Sequence, residues 1–190
     1  MPGGALHPGS GVALHLLTPA PRVRRATEAD IPGIRAVLAE TWRDTYGAFL
    51  PLEAIERAIA AWHTPRVLAA ELARASTFVA VAEDDAGIVG VVTARGRPEV
   101  VEIARLYVRP GAQRRGTGGR LLAAALAAFP GRARARLEVE AQNAKGRAFY
   151  VKEGFVAVGE RSVEVSGTVL RLVVMELEAG ADRDRQDGSR

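Results

Sequence analysis

Between residues 113 and 118 the chain reads Gln-Arg-Arg-Gly-Thr-Gly, a stretch whose residue types suit an anion. Glycine lets the backbone turn through conformations closed to other residues, so that successive N–H groups converge on one point. A helix starting there would add the partial positive charge of its N-terminus. Arg114, Arg115 and Arg120 can add charge-assisted contacts to a pyrophosphate. A Gln/Arg-x-x-Gly-x-Gly/Ala match arises by chance in about one window in a thousand, so its meaning depends on where it sits.

Two other phosphate motifs fail here. A nucleotide-hydrolysing loop needs Lys after its second glycine, and Thr117 follows Gly116. A dinucleotide fingerprint needs a third glycine three residues after Gly118, where Leu121 stands. A plain glycine turn before a helix is the remaining structural explanation.

The elements that must position this loop can be read from period and punctuation. Val23–Ala26 suits a short strand, and Thr27 to Asp30 resembles a capping box opening a helix with Ile31, Ile34, Val37 and Leu38 on one face. A second helical region spans about 52–61. His63-Thr64-Pro65 then stops and restarts the chain, with Thr64 as N-cap of a helix to about Arg74. Thr77–Ala82 and Ile88–Ala94 form a hairpin around a turn-forming stretch, 83–87. Val100–Val108 is a strand ended by Pro110-Gly111. Leu121, Leu122, Ala125 and Leu126 mark a helix over 116–129. A strand at about 133–139, a helix at about 144–153 and strands at 155–161 and 168–177 complete an order written β α α β β β α β α β β. The unit from Val100 to Val139 is βαβ and makes its two strands parallel. The fold class is therefore α/β of the α+β kind: a mixed, mostly antiparallel sheet flanked by helices. One domain is expected over residues 21–178, with flexible tails at 1–20 and 179–190.

Composition narrows the function classes. Cysteine is absent, which excludes disulfides, thiolate metal ligands and a cysteine acyl-enzyme. The formal charge is +4, but 26 basic residues interleave with 22 acids along the chain, so no nucleic-acid partner is expected. No window holds the roughly 18 uninterrupted apolar residues of a membrane helix and no secretory signal opens the chain, so a cytoplasmic location without a membrane partner is the default. No metal is expected. Should the chain self-associate, a homodimer is the common form.

With the loop lying between a strand and a helix, the chain resembles the GCN5-related N-acetyltransferase (GNAT) family over about Val23–Leu177. Leu106-Tyr107-Val108-Arg109-Pro110 with Gln113–Gly118 resembles that family's acetyl-CoA strand and pyrophosphate loop. Residues 143–155, from Asn143 through Phe149 and Tyr150 to Gly154-Phe155, resemble its next helix and following strand.

The resemblance implies that the parallel strands splay apart and that acetyl-CoA enters as co-substrate, lying against the strand as an added strand would. The implied cofactor residues are Leu106, Tyr107, Val108, Gln113, Arg114, Arg115, Gly116, Thr117, Gly118, Gly119, Arg120, Asn143 and Phe149. Tyr150 takes the place of the general acid, and Glu102, alternating with Ala104 and Leu106 along the strand, that of the base. An alkylammonium is neutral only about one part in 2,500 at pH 7, so a base must expose its lone pair, and the departing thiolate needs a proton. A backbone N–H near Val108 suits the developing oxyanion. Without cysteine, direct transfer in a ternary complex is the natural scheme.

Taken as residues alone, Tyr150 also fits a core position, Glu102 a solvated strand carboxylate and Asn143 a helix N-cap. His63 suits a structural place near its turn. The segment from Trp42 to Pro51 resembles one broad subgroup, and Trp42 and Tyr46 can line an acceptor pocket, although core packing explains Trp42 and Phe49 almost as well. The expected activity is acetyl transfer to a primary amine of a small molecule or peptide. A non-catalytic acyl-CoA-binding or sensing module is the alternative.

Overall fold

A computed structural model describes residues 19–165 and 167–178. The expectations for residues 1–18 and 179–190 lie outside the described residues. Strand β1 (Arg22–Arg25) leads through a short 3-10 turn (Glu28–Asp30) into helix α1 (Ile31–Tyr46). The Asp30 carboxylate accepts the Thr27 N–H at 2.8 Å, which fixes the direction in which the helix leaves the strand. Helices α2 (Leu52–Trp62) and α3 (Pro65–Ala73) follow. They are separate, so three helices lie between the first two strands where the written order held two. The cause is local: Pro65 sits at the first helical position and the Thr64 hydroxyl accepts the Val67 N–H at 3.1 Å.

The remaining elements are β2 (Thr77–Asp84), β3 (Gly87–Gly96), β4 (Val100–Val108), α4 (Thr117–Ala127), β5 (Arg134–Glu140), α5 (Ala144–Lys152), β6 (Val156–Val165) and β7 (Thr168–Glu178). They make one seven-stranded sheet in the order β1-β2-β3-β4-β5-β7-β6. Only β4 and β5 pair in parallel among the described residues, as the helical crossover between them requires.

The two faces of the sheet bury different helices. Leu121, Leu122 and Ala125 of α4, with Tyr150 of α5, pack against one face through Val92, Ile103, Leu137 and Val173. Ile34, Val37 and Leu38 of α1 pack with Leu68 of α3 against Val79, Val81 and Val91 on the other. Each such aliphatic side chain contributes about 1.5–3 kcal/mol on burial. A third cluster joins Trp42 of α1 and Ile55 and Ile59 of α2 to Val165 and Leu170 at the β6–β7 hairpin.

Candidate active site

The site begins where β4 and β5 stop pairing. Their register runs from Val100 opposite Arg134 to Ile103 opposite Leu137 and goes no further. Beyond it both strands continue, β4 to Val108 and β5 to Glu140, so a gap opens between their ends. β3 still covers the other edge of β4 through Val108. The Arg109 N–H donates to the Val89 carbonyl at 2.8 Å. By the alternation of strand hydrogen bonding, Leu106 and Val108 turn their backbone groups into the gap. The Gln113 side-chain amide donates to the Val108 carbonyl at 3.0 Å, tying the loop to the end of the strand.

A bulge in β4 decides which side chains face where. Thr93 stands opposite Arg105 and Ala94 opposite Ile103, which leaves Ala104 as an extra residue. Plain alternation would put Glu102 and Leu106 on one face; the bulge puts them on opposite faces. Leu106 joins the core beneath α4, whereas Glu102 reaches Arg95, which in turn bonds Glu71 of α3. Both Glu102 oxygens are engaged, Oε1 by Arg95 at 3.0 Å and Oε2 by Arg97 at 2.8 and 3.0 Å. Glu102 also lies on the paired part of the strand, about 13 Å from Leu106 at the usual rise per residue. Tyr107 likewise turns toward α1, so its side chain lies on the face of Trp42 and Tyr46 and only its backbone lies beside the gap.

The loop has the conformation an anion cradle needs. Gly116 has φ of 75° and Arg114 φ of 59°, both left-handed. The first backbone bond of α4 runs from the Arg120 N–H to the Gly116 carbonyl at 3.1 Å, which leaves the amides of Thr117, Gly118 and Gly119 without an intrahelical acceptor. Residues 113–116 are exposed. The Thr117 hydroxyl and the Arg120 Nη2 are buried with no hydrogen-bond partner. These unmet donors and the helix mouth suit a diphosphate ester.

Helix α5 closes the other side of the gap. Asn143 is its N-cap, its side chain accepting the Gly146 N–H at 2.9 Å. A Cβ on Gly118 would stand 3.2 Å from the Phe149 ring, and one on Gly119 3.2 Å from the Glu153 carboxylate. Gly118 therefore leaves room for the approach of α5 to α4, while Gly116 serves the turn. Tyr150 is 8% exposed, with Phe149 and Phe155 edge-on at 5.0 and 5.6 Å. Burial, and less strongly the neighbouring Tyr107, push the Tyr150 phenol well above its usual range, so it stands protonated at neutral pH and can donate.

On the α1 side the Trp42 and Tyr46 rings lie 4.6 Å apart, and Phe49 meets Tyr46 edge-on at 5.6 Å. Burial raises the Tyr46 phenol, with smaller contributions from Tyr107, Glu140 and Tyr150. The indole N–H of Trp42 points toward the Tyr107 oxygen but is buried without closing a hydrogen bond. Glu140, at the end of β5, is the residue that sequence reading passed over. It is 2% exposed. The signal was present: Ala135, Leu137 and Val139 mark the core face of β5, so period two turns Glu140 toward α1.

Among the described residues no group of His, Asp and Glu could hold a metal ion, and no helix is long and apolar enough to cross a membrane. The acetyltransferase (GNAT) domain model matches residues 50–179. No curated protein sequence matches the chain. Among solved structures, the PaiA N-acetyltransferase of Thermoplasma acidophilum in complex with coenzyme A is 24% identical. It aligns with a TM-score of 0.71 over 83% of this chain and 98% of its own. A GCN5-related N-acetyltransferase of Rhodopseudomonas palustris is 23% identical, with a TM-score of 0.71 over 87% and 99%. The ribosomal-protein-S18-alanine N-acetyltransferase of Escherichia coli is 17% identical, with a TM-score of 0.64 over 85% and 97%. The splayed strand pair, the loop at the helix mouth and the domain match agree: this chain is an acetyltransferase of the GNAT family.

Proposed function

We propose that the protein transfers the acetyl group of acetyl-CoA to a primary amine of a small molecule or peptide, by direct attack within a ternary complex. The observation that carries this reading is the gap between β4 and β5. It has the gap-facing backbone groups of Leu106 and the Val108 N–H on one wall, the glycine loop at its mouth and the Tyr150 side chain beside it.

When bound, acetyl-CoA supplies a thioester whose carbonyl carbon is open to a nucleophile. The amides of Thr117 to Gly119 and the Arg120 guanidinium would hold its diphosphate, and the gap-facing groups of Leu106 and Val108 would bond its amides as a neighbouring strand does. The Val108 N–H can stabilise oxyanion charge at the carbonyl. Tyr150, protonated and shielded from water, gives its proton to the leaving sulfur. Phe149 and Leu106 wall the path and exclude water. The Trp42 and Tyr46 side of the sheet receives the amine, so the two substrates meet from opposite faces.

The test is thiol release from acetyl-CoA with a panel of primary amines. Turnover is expected from the native chain, with kcat lowered about 100-fold in Tyr150→Phe and acetyl-CoA affinity unchanged. Full turnover by Tyr150→Phe would remove the acid assignment. Binding of acetyl-CoA without turnover on any amine would favour a sensing module.

A further inference from the structure

Glu140 has a combination of features that the fold alone does not demand. It is a carboxylate, 2% exposed, on the last residue of β5, where the strand has already left β4. Were the parallel pairing continued in register, it would stand level with Leu106, at the height of the gap. Its face of the strand is the face of Tyr107 and α1. The Gln142 and Asn143 N–H groups donate to Oε2, at 2.5 and 3.0 Å. Among the described residues every hydrogen bond to this carboxylate falls on Oε2, and no arginine or lysine pairs with it. A buried carboxylate without a cation is costly unless a ligand completes it.

The surroundings favour a cation. The Tyr46 hydroxyl of α1 lies close enough to Glu140, to Tyr107 of β4 and to Tyr150 of α5 for each to add to the effect of burial on it. Aromatic faces and a carboxylate together attract an alkylammonium.

We propose that Glu140 is the carboxylate that receives the acceptor's ammonium and takes its proton, which makes cationic alkyl amines the acceptor class; this rests on the acetyl-transfer reading above. One proton passes from the ammonium to Glu140 Oε1, which frees the lone pair. The acceptor nitrogen then forms its C–N bond at the thioester carbonyl as the C–S bond breaks, and the sulfur takes the Tyr150 proton. The nitrogen's second surplus proton restores Tyr150, and Glu140 returns its proton to solvent. The net change is one amide, one thiol and one released proton. Glu102, engaged by Arg95 and Arg97 below the gap, needs no part in this sequence.

The experiment compares n-butylamine and phenethylamine, cationic at pH 7, with aniline, which is neutral there. Native enzyme is expected to prefer the cations. Glu140→Gln should lower kcat/KM for them about 100-fold while changing aniline turnover little. Calorimetry of the CoA-saturated enzyme with n-butyltrimethylammonium, which cannot be acetylated, should show affinity falling about tenfold in Glu140→Gln. Glu138→Gln, on the same strand but bonded to Arg161 at the surface, should leave both readouts within about twofold. Gln keeps an oxygen for the two turn amides; should that variant still melt early, Glu140→Asp keeps the charge and should keep the preference for cations. Equal kcat/KM for n-butylamine in native enzyme and Glu140→Gln, or no preference for cations in native enzyme, would overturn the proposal while leaving acetyl transfer intact. Failure of every amine and of acetyl-CoA binding would overturn the acetyl-transfer reading instead.

Discussion

Gly118 at the mouth of α4 and Phe149 on α5 are in near contact: a Cβ on Gly118 would stand 3.2 Å from two atoms of the Phe149 ring. The glycine is therefore a packing requirement between the loop helix and the helix that carries Tyr150. Gly118→Ala should displace the ring and destabilise the protein by about 1–2 kcal/mol. Adding Phe149→Leu should recover much of that loss. Additive losses in the double-mutant cycle would show that the two residues do not meet.

Arg114 holds a left-handed backbone, φ of 59°, that costs a non-glycine residue about 1 kcal/mol. Arg114→Gly removes that strain and also removes a cation from the loop. Thermal melting should then change little, while acetyl-CoA affinity falls roughly threefold to tenfold and depends less on salt. An affinity equal to that of the native chain would mean that Arg114 serves the turn alone.

His63 is 3% exposed, both ring nitrogens are unpartnered, and its ring meets Trp42 edge-on at 5.4 Å. Burial, then the Arg105 guanidinium, lowers its pKa from 6.5 to about 4. Between these values the unfolded chain binds the extra proton, so stability is complete above about pH 6.5 and is lost as pH falls toward 4. From pH 7 to pH 5 the loss is about 2 kcal/mol. Urea melts at the two pH values check this, and His63→Phe should flatten the difference. An unchanged difference in that variant would place the titration elsewhere.

The loop and, apart from the helix missing from the written order, the succession of elements were legible because glycine, proline and period two report local geometry directly. Gln113–Gly118 lies between strand and helix as read, and Thr64 caps α3 through its hydroxyl. The surroundings of Glu102 were not legible. They depend on a bulge at Ala104 and on Arg95 and Arg97, which reach it across the hairpin from β3. Glu140 was hidden for a related reason. Its face was readable from Ala135, Leu137 and Val139, but its meaning depends on where β4 and β5 part, which only the three-dimensional register shows. Trp42 takes the core place that the sequence offered for it, buried among Leu50, Ile55 and Ile59, with Tyr46, Phe49 and Tyr107 packed against that cluster.

The most direct measurement is calorimetric titration of acetyl-CoA into the native chain, Gly116→Val and Arg120→Met. One site per chain is expected, weakened at higher salt and at least tenfold weaker in both variants, since a branched side chain strains the φ of 75° at Gly116 and Arg120 loses a buried, unpartnered donor. No heat from the native chain, or equal affinity in all three proteins, would contradict the claim that this loop grips the diphosphate of coenzyme A.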